Sequence, residues 1–386
     1  MNYVDLDSLD QKSSSKTFKA TPYTWTDPAS IKPRQWLYDR FLIRGFVSVS
    51  IAPGGVGKST LAIAEAVALA TGNNLLGKQT GTAKRVWLWN LEDPRDELER
   101  RIQAICQHFN ISADDLDDRL FIDTGCEQEL CLAISGRSGP ELQDIVIDNL
   151  VDQMIENEID CLIVDPFISS HAVSENDNVA IDMVVKAWGR IADRTNAAIH
   201  LIHHSRKQSA DAETNADSAR GAKALVDAAR DVRVLNRMTQ DEALKAKVDN
   251  HRLYFRVYSD KANLSPPVDK SDWYRLENIA LSNGDYVGVV VPWAWPDPLD
   301  GVTVADLLAV QKLIHGKQFR KDVRSDNWIG NAIADVIGAD LSDEAELSKV
   351  KIMLKIWLES GALVAKNIVT ESRNKTWIVE VGEWAA

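Results

Sequence analysis

Residues 46–69 read Phe46-Val-Ser-Val-Ser-Ile-Ala-Pro-Gly-Gly-Val-Gly-Lys-Ser-Thr-Leu-Ala-Ile-Ala-Glu-Ala-Val-Ala-Leu69. Phe46 to Ile51 is a short apolar run of the kind that forms a buried strand, and the stretch after Lys58 is rich in strong helix formers. Between them lies a turn that fits the phosphate-binding pattern in its looser form, Ala52-x4-Gly57-Lys58-Ser59, with Ala52 where the strict pattern has Gly. The chemistry explains the residue types along Pro53-Gly54-Gly55-Val56-Gly57. Gly54, Gly55 and Gly57 let the backbone wrap a phosphate with its N–H groups pointing inward. The new helix adds the positive end of its dipole. Lys58 then reaches the β- and γ-phosphates, and the hydroxyl of Ser59, with Thr60 beside it, ligates Mg²⁺. The bland alternative is a glycine-rich turn that merely resembles this, but the strand before and the helix after argue for a phosphate loop.

Working outward, 386 residues with 45% apolar content can bury large cores and suggest more than one domain. No run approaches the roughly 18 apolar residues of a membrane span, and the polar Met1 to Lys19 has no signal-peptide core. A soluble, cytoplasmic chain without a membrane partner is expected. Cys106, Cys126, Cys131 and Cys161 show no metal-binding spacing and read as reduced and structural. The net charge of −13 argues against a generally basic coat for nucleic acid. The acidity is uneven: residues 303–386 hold 11 Lys+Arg and 12 Asp+Glu, so almost all of the excess lies in residues 1–302. The C-terminal segment is the less repulsive face for a phosphate backbone.

Apolar runs mark further strands at 85–91, 120–123, 159–165 and 197–204, and helical spacing marks 95–108, 141–157 and 178–195. Strands alternating with helices predict an α/β fold with a doubly wound, mostly parallel sheet. Later elements are expected at 225–235, 253–258 and 273–281, followed by a break made by Pro292, Pro296 and Pro298 with Asp297 and Asp300. Residues 303–386 read as three helices and two strands, the order of a winged helix-turn-helix. The expected organisation is a flexible segment 1–24, a core 25–290, a Pro-rich linker 291–302 and a small domain 303–386.

Three strand ends carry polar residues that could meet the phosphate loop. Asp165 closes the strand 159–165, where a carboxylate holds Mg²⁺ opposite Ser59. Glu92 follows the strand 85–91, where a carboxylate can orient and deprotonate the attacking water; its neighbour Asp93 should point the other way, since successive strand residues alternate. His203 and His204 end a third strand. His204 is the better candidate to hydrogen-bond a γ-phosphate, although two adjacent histidines also suit metal binding or plain packing.

Seven ordered stretches together resemble the RecA/DnaB-like ATPases, and within them the RepA-type hexameric replicative helicases of plasmids and phages. They are the phosphate loop, Trp89-Asn-Leu-Glu92-Asp93-Pro94, Leu162-Ile-Val-Asp165-Pro166, Ser174-Glu-Asn-Asp-Asn178, Leu201-Ile-His-His204-Ser-Arg-Lys207, Arg220-Gly-Ala-Lys-Ala-Leu-Val-Asp-Ala-Ala-Arg230 and Ser259-Asp-Lys261-Ala-Asn263. The resemblance covers residues 25–285 and implies a RecA-like core that binds ATP and Mg²⁺ between subunits of a hexameric ring. It supports Glu92 as catalytic glutamate and His204 as γ-phosphate sensor. It also implies that Arg230 is an arginine finger donated to the neighbouring subunit, with Arg220 as runner-up, and that Lys261 is a second cation acting in trans. Such cations neutralise charge building on the γ-phosphate, worth roughly 10³–10⁵ in rate.

The loops 167–178, with His171, Glu175 and Asn176, and 205–219, with Arg206 and Lys207, are implied to face single-stranded DNA in the ring channel. Few cations and several acids in the second loop predict modest, salt-sensitive affinity. ATP is favoured over GTP by the resemblance and by the lack of an Asn-Lys-x-Asp guanine-reading motif. The tail departs from the minimal helicases; Lys349, Lys351 and Lys355 could present a duplex-binding helix, or the tail could dock a partner. Two functions are therefore expected to compete: a ring-forming DNA helicase, and a regulatory ATPase that assembles on DNA through its C-terminal domain without unwinding.

Overall fold

The computed structural model describes residues 19–116, 118–205, 223–265, 271–297, 299–369 and 375–385. By internal contacts the chain divides between Gln35 and Trp36. In the first unit the described residues are exposed, and the ordered feature is a single 3₁₀ turn, Pro28–Ser30, capped by Asp27 accepting from the Ala29 N–H at 2.9 Å.

The second unit opens with a small hairpin, β1 (Trp36–Tyr38) and β2 (Leu42–Ile43). The phosphate-loop strand β3 (Val47–Ala52) and helix α1 (Lys58–Thr71) follow, then β4 (Val86–Asn90), α2 (Arg95–Phe109), the short α3 (Ala113–Leu116) and β5 (Leu120–Thr124). A second hairpin, β6 (Ala133–Gly136) and β7 (Gly139–Leu142), leads to α4 (Asp144–Glu156), β8 (Cys161–Asp165), α5 (Asn178–Thr195) and β9 (Ala198–His204). After α6 (Lys223–Ala228) come β10 (Asp231–Arg237), α7 (Gln240–Ala246), β11 (Tyr254–Ala262), β12 (Asp272–Ala280) and β13 (Tyr286–Trp293).

One nine-stranded sheet, ordered β13-β12-β11-β10-β3-β9-β8-β4-β5, organises these elements. The six strands from β10 to β5 run parallel, and β11, β12 and β13 extend the sheet as antiparallel strands. The parallel strands are covered on both faces, so alternate residues of one strand enter opposite cores: Val86 and Leu88 pack with α1 and α2, Trp87 and Trp89 with α4 and α5. The sequence-predicted strands and helices of the core are found within a few residues. The expected break begins later than Pro292, because Pro292 lies within β13, an edge strand that tolerates the missing donor.

The middle of α1 meets β10 through a buried ion pair. Arg233 donates to both carboxylate oxygens of Glu65 at 2.6 Å and to the Ser50 hydroxyl at 2.7 Å, and its guanidinium lies 4.0 Å from the Phe41 ring. The bidentate geometry and the extra partners satisfy both buried charges.

Residues 303–386 carry α8 (Val304–Ile314), β14 (Phe319–Arg320), α9 (Ile329–Ile337), α10 (Glu344–Glu359), β15 (Leu363–Val369) and β16 (Lys375–Val381). The three strands form an antiparallel sheet ordered β14-β16-β15. Val310, Trp328, Ile333, Met353, Trp357 and Val379 belong to a core separate from those of the large sheet. This group meets the large sheet's unit through α7 and α10, with Lys247 ion-paired to Glu346.

Candidate nucleotide site

The loop 53–57 joins the carboxyl end of β3 to the first turn of α1. Gly55 (φ +72°) and Gly57 (φ +104°) adopt left-handed backbone conformations that residues with a Cβ rarely take. Gly57 caps α1 without any side-chain partner, so its helix start is left to backbone N–H groups. Pro53 is half-buried, Gly54 and Gly55 are exposed, and Val56 is packed into the core beneath them. Lys58 is buried at the start of the helix, with Ser59 and Thr60 half-buried after it.

Parallel pairing sets the other strand ends beside this loop. Ala52 of β3 is level with His204 of β9, and Asn90 of β4 with Asp165 of β8. Burial pushes the Asp165 carboxyl upward, while a hydrogen bond from the Ser59 hydroxyl and the charge of Lys58 pull the other way; Glu92 and Asp93 add to the rise. One Asp165 oxygen, Oδ1, is buried without a hydrogen-bond partner. A hydroxyl and an orphaned carboxylate oxygen facing one another suit a hard, oxygen-seeking cation, so Ser59 and Asp165 fit Mg²⁺.

Glu92 and Asp93 both lie beyond the end of β4, so strand alternation does not separate them. The Asn90 side chain does: its Oδ1 accepts from the N–H groups of Glu92 and Asp93 at 2.9 and 2.7 Å and folds the chain back. Asp93 is then held by Asn90 and by Arg101, whose Nη1 donates at 2.8 Å. The Glu92 side chain is left 55% exposed, with Oε2 4.0 Å from His204 Nε2. His204 Nε2 itself is buried without a hydrogen-bond partner. Burial lowers the His204 pKa, the Lys58 charge lowers it further and Glu92 opposes them, so the ring is neutral at pH 7 and carries one N–H.

His203 turns to the other side of the sheet. It lies against the Phe167 ring and 4.0 Å from Glu175, and burial first, then His204 and His171, push its pKa down to about 4. His171, expected in a DNA-facing loop, is instead buried against Phe167, with ring centroids 4.9 Å apart; the exposed positions of that loop include Ile168, Ser169, Ser174 and Asn176. Arg206, Lys207 and Arg220 lie outside the described residues.

A cavity of about 670 Å³ opens beside the loop, lined by Gly55, Gly57, Lys58, Ser59 and Thr60 on one side. Sequence reasoning missed its opposite walls, Arg100 and Arg101 of α2 and Leu276, Tyr286 and Gly288 of β12 and β13. Tyr286 and Gly288 are both exposed and two residues apart, hence on one face of the edge strand. Gly288 has no left-handed backbone angle, and a Cβ built there comes no closer than 4.0 Å to Leu276 Cδ2. Nothing in the backbone requires glycine, and its missing side chain leaves the cavity wall bare beside Tyr286. A lone glycine in Tyr286-Val-Gly-Val-Val-Val291 is the signal that could have found it. Arg237, at the end of β10, also reaches the loop and donates to the Gly55 carbonyl.

Arg230 and Lys261 are not part of this cluster. The Arg230 N–H donates to the Val47 carbonyl at 3.0 Å, level with the first residue of β3, whereas the loop follows its last. The intervening strand spans about 17 Å. Lys261 Nζ donates to the carbonyls of Val226 and Asp227 at 2.8 and 2.9 Å, at the end of α6. Burial lowers the Lys261 pKa, against the pull of Asp227 and with the Arg230 charge adding to the fall. The two cations therefore stand together at the far end of the sheet. Arg230 also lines a groove of about 870 Å³ with Phe46, Met183, Lys186 and Arg190.

No helix among the described residues is long and apolar enough to cross a membrane. The family model described as an AAA domain matches residues 13–210, which contain the loop, Glu92, Asp165 and His204. With half of its length matched, and a phosphate loop at the carboxyl end of a mostly parallel sheet, this chain belongs to the AAA-domain family of P-loop ATPases.

Proposed function

We propose that this chain is the subunit of a ring-forming, ATP- and Mg²⁺-dependent DNA motor, a replicative helicase of a plasmid, phage or other mobile element. The observation that carries the reading is the separation of Lys58 from Arg230 and Lys261. Two clustered cations at the far end of the sheet stand away from the chain's own loop, which supports a role for them at the loop of a neighbouring copy. A head-to-tail arrangement of this kind generates a ring where its rotation closes, and a hexameric ring is the form proposed.

In this reading the loop 53–57 and Lys58 hold the triphosphate, Ser59 and Asp165 hold Mg²⁺, and the base lies over Gly288 and Leu276 against Tyr286. Mg²⁺ held by Ser59 and Asp165 would supply charge neutralisation at the phosphates. Glu92 accepts the proton of the attacking water, and its exposed carboxylate is free to do so because Asp93 takes the structural contacts. Neutral His204 donates its N–H toward the γ-phosphate. Arg230, seconded by Lys261, completes the site from next door, so hydrolysis is tied to the contact between subunits. Single-stranded DNA is the proposed track.

A second reading has its own support. The three helices and three-stranded sheet of residues 303–386 have the composition of a winged helix, which favours a regulatory ATPase that assembles on duplex DNA. Strand displacement on a forked DNA substrate separates the two, with Lys58→Ala as the inactive control. ATP-dependent displacement is expected; nucleotide-stimulated duplex binding without displacement would move the assignment to the second reading. A monomer unchanged by nucleotide in light scattering would count against both.

A further inference from the structure

Of the three lysines expected on a duplex-reading helix, Lys349 turns away: its Nζ donates to the Asp300 carbonyl at 3.2 Å, toward the linker. The basic face of the C-terminal domain lies mainly elsewhere. Arg320, Lys321, Arg324 and Lys375 surround Trp377 at a cleft of about 420 Å³ on the strand side. We propose that this cleft is a binding site for a single-stranded polynucleotide, with Trp377 stacking an unpaired base and the surrounding cations holding its phosphates.

The fold builds the cleft from two strands. Arg320 of β14 pairs with Ile378 of β16, and the Lys321 N–H donates to the Trp377 carbonyl at 3.0 Å, so the backbone carrying these two cations runs alongside the strand that carries the indole. Lys375 and Trp377 are two residues apart on β16 and share one face. Trp377 is 53% exposed, which leaves a large apolar ring in water beside several positive charges. Asp322 is the acid at the cleft, and it is occupied by Arg324, at 2.9 Å. A neighbouring groove carries Lys321, Lys351 and Lys355 together with Asp322 and Glu359, the last 3.8 Å from Lys355 Nζ.

Four of the domain's acids lie at another place. Asp340, Asp343, Glu344 and Glu346 gather around the start of α10, where they cap the helix or pair with α7. A chain of net charge −13 thus keeps a local cationic cleft around an exposed aromatic ring. Phosphate attraction combined with an open π-face is the chemistry that single-strand binders use, since every unpaired base offers a face and every nucleotide a charge. A duplex would present phosphates without a base to stack.

The inference rests on the polynucleotide reading above but not on translocation. The test is fluorescence anisotropy of the full chain with labelled oligodeoxythymidine, oligouridine and blunt duplex at low and moderate salt. Trp377→Ala is expected to weaken single-strand binding about tenfold. Lys321→Glu with Lys375→Glu should weaken it further and flatten its salt dependence. Lys349→Ala should bind as the parent does, and DNA-free ATP hydrolysis should be the same in all of them, which controls for folding. Comparison of the two oligonucleotides tells DNA from RNA. If the parent binds single strands and the Trp377 and lysine variants bind equally well, the cleft is not the site while the motor reading stands. Tighter binding of duplex, lost on Lys351→Glu and kept on Trp377→Ala, would also overturn it. No binding by the parent at low salt would sink the cleft and the DNA motor together.

Discussion

His204 Nε2 lies 4.0 Å from Glu92 Oε2, so residues from two different strand ends, β9 and β4, face one another beside the phosphate loop. The pair divides two tasks that ATP hydrolysis needs: the carboxylate can take a proton, and the neutral imidazole can give a hydrogen bond.

Glu92→Gln should keep ATP binding and lose hydrolysis by roughly 10²–10⁴. Asp93→Asn should behave differently, because Asp93 is bound to Arg101 and Asn90. It should lower the unfolding midpoint while leaving turnover within a few-fold of the parent. Phosphate release and ATP affinity measured side by side check both; equal losses of turnover would remove the distinction between the two acids.

For His204, the expected consequence of replacement by Ala is a fall in kcat of roughly 10²-fold, with ATP affinity changed much less. His204→Asn, which restores a donor, should recover part of the rate. His203→Ala should instead act through packing near Phe167, and show in stability before it shows in kcat.

The cavity wall makes a separate prediction. Gly288→Val should weaken ATP and ADP binding by about tenfold or more, the loss expected when a base is pushed off a packed surface. Inorganic tripolyphosphate, which has no base, should bind the variant as well as it binds the parent. A parallel loss of tripolyphosphate would mean that the substitution disturbs the loop instead.

Asp231, the first residue of β10, is buried, and burial pushes its carboxyl up to about 7 against the pull of Arg233. The unfolded chain gives up this proton near pH 4, so the folded chain binds it more tightly. The resulting stability is full below that range and is lost as pH rises through about 7. Asp231→Asn removes the dependence. Its urea midpoint, relative to the parent's, should therefore be higher above pH 7 than at acidic pH, and an unchanging difference would contradict the assignment.

The phosphate loop was legible because its signals are local: an apolar run, glycines at three positions and a helix-forming stretch within 24 residues. The strand ends at Asp165 and His204 followed from the same logic, since parallel strands beside β3 must end on the same side. Strand alternation does not separate Glu92 from Asp93, because both lie beyond β4; the Asn90 turn and Arg101 set the two side chains apart, and neither is visible in the local pattern. The Arg233–Glu65 pair, 168 residues apart, and the Tyr286–Gly288 wall depend on tertiary pairing that no local pattern carries. In the tail, helical spacing revealed three lysines but not that Lys349 faces the linker, and it gave no hint of the cations around Trp377.

The central claim is that Arg230 serves the nucleotide of a neighbouring subunit. Arg230→Ala and Glu92→Gln should each be nearly inactive alone. In an equimolar mixture, a subunit with intact Glu92 can meet a neighbour with intact Arg230 at about a quarter of the interfaces of randomly mixed rings. The account predicts ATP hydrolysis in the mixture well above the sum of the two variants; a mixture no more active than that sum would contradict it.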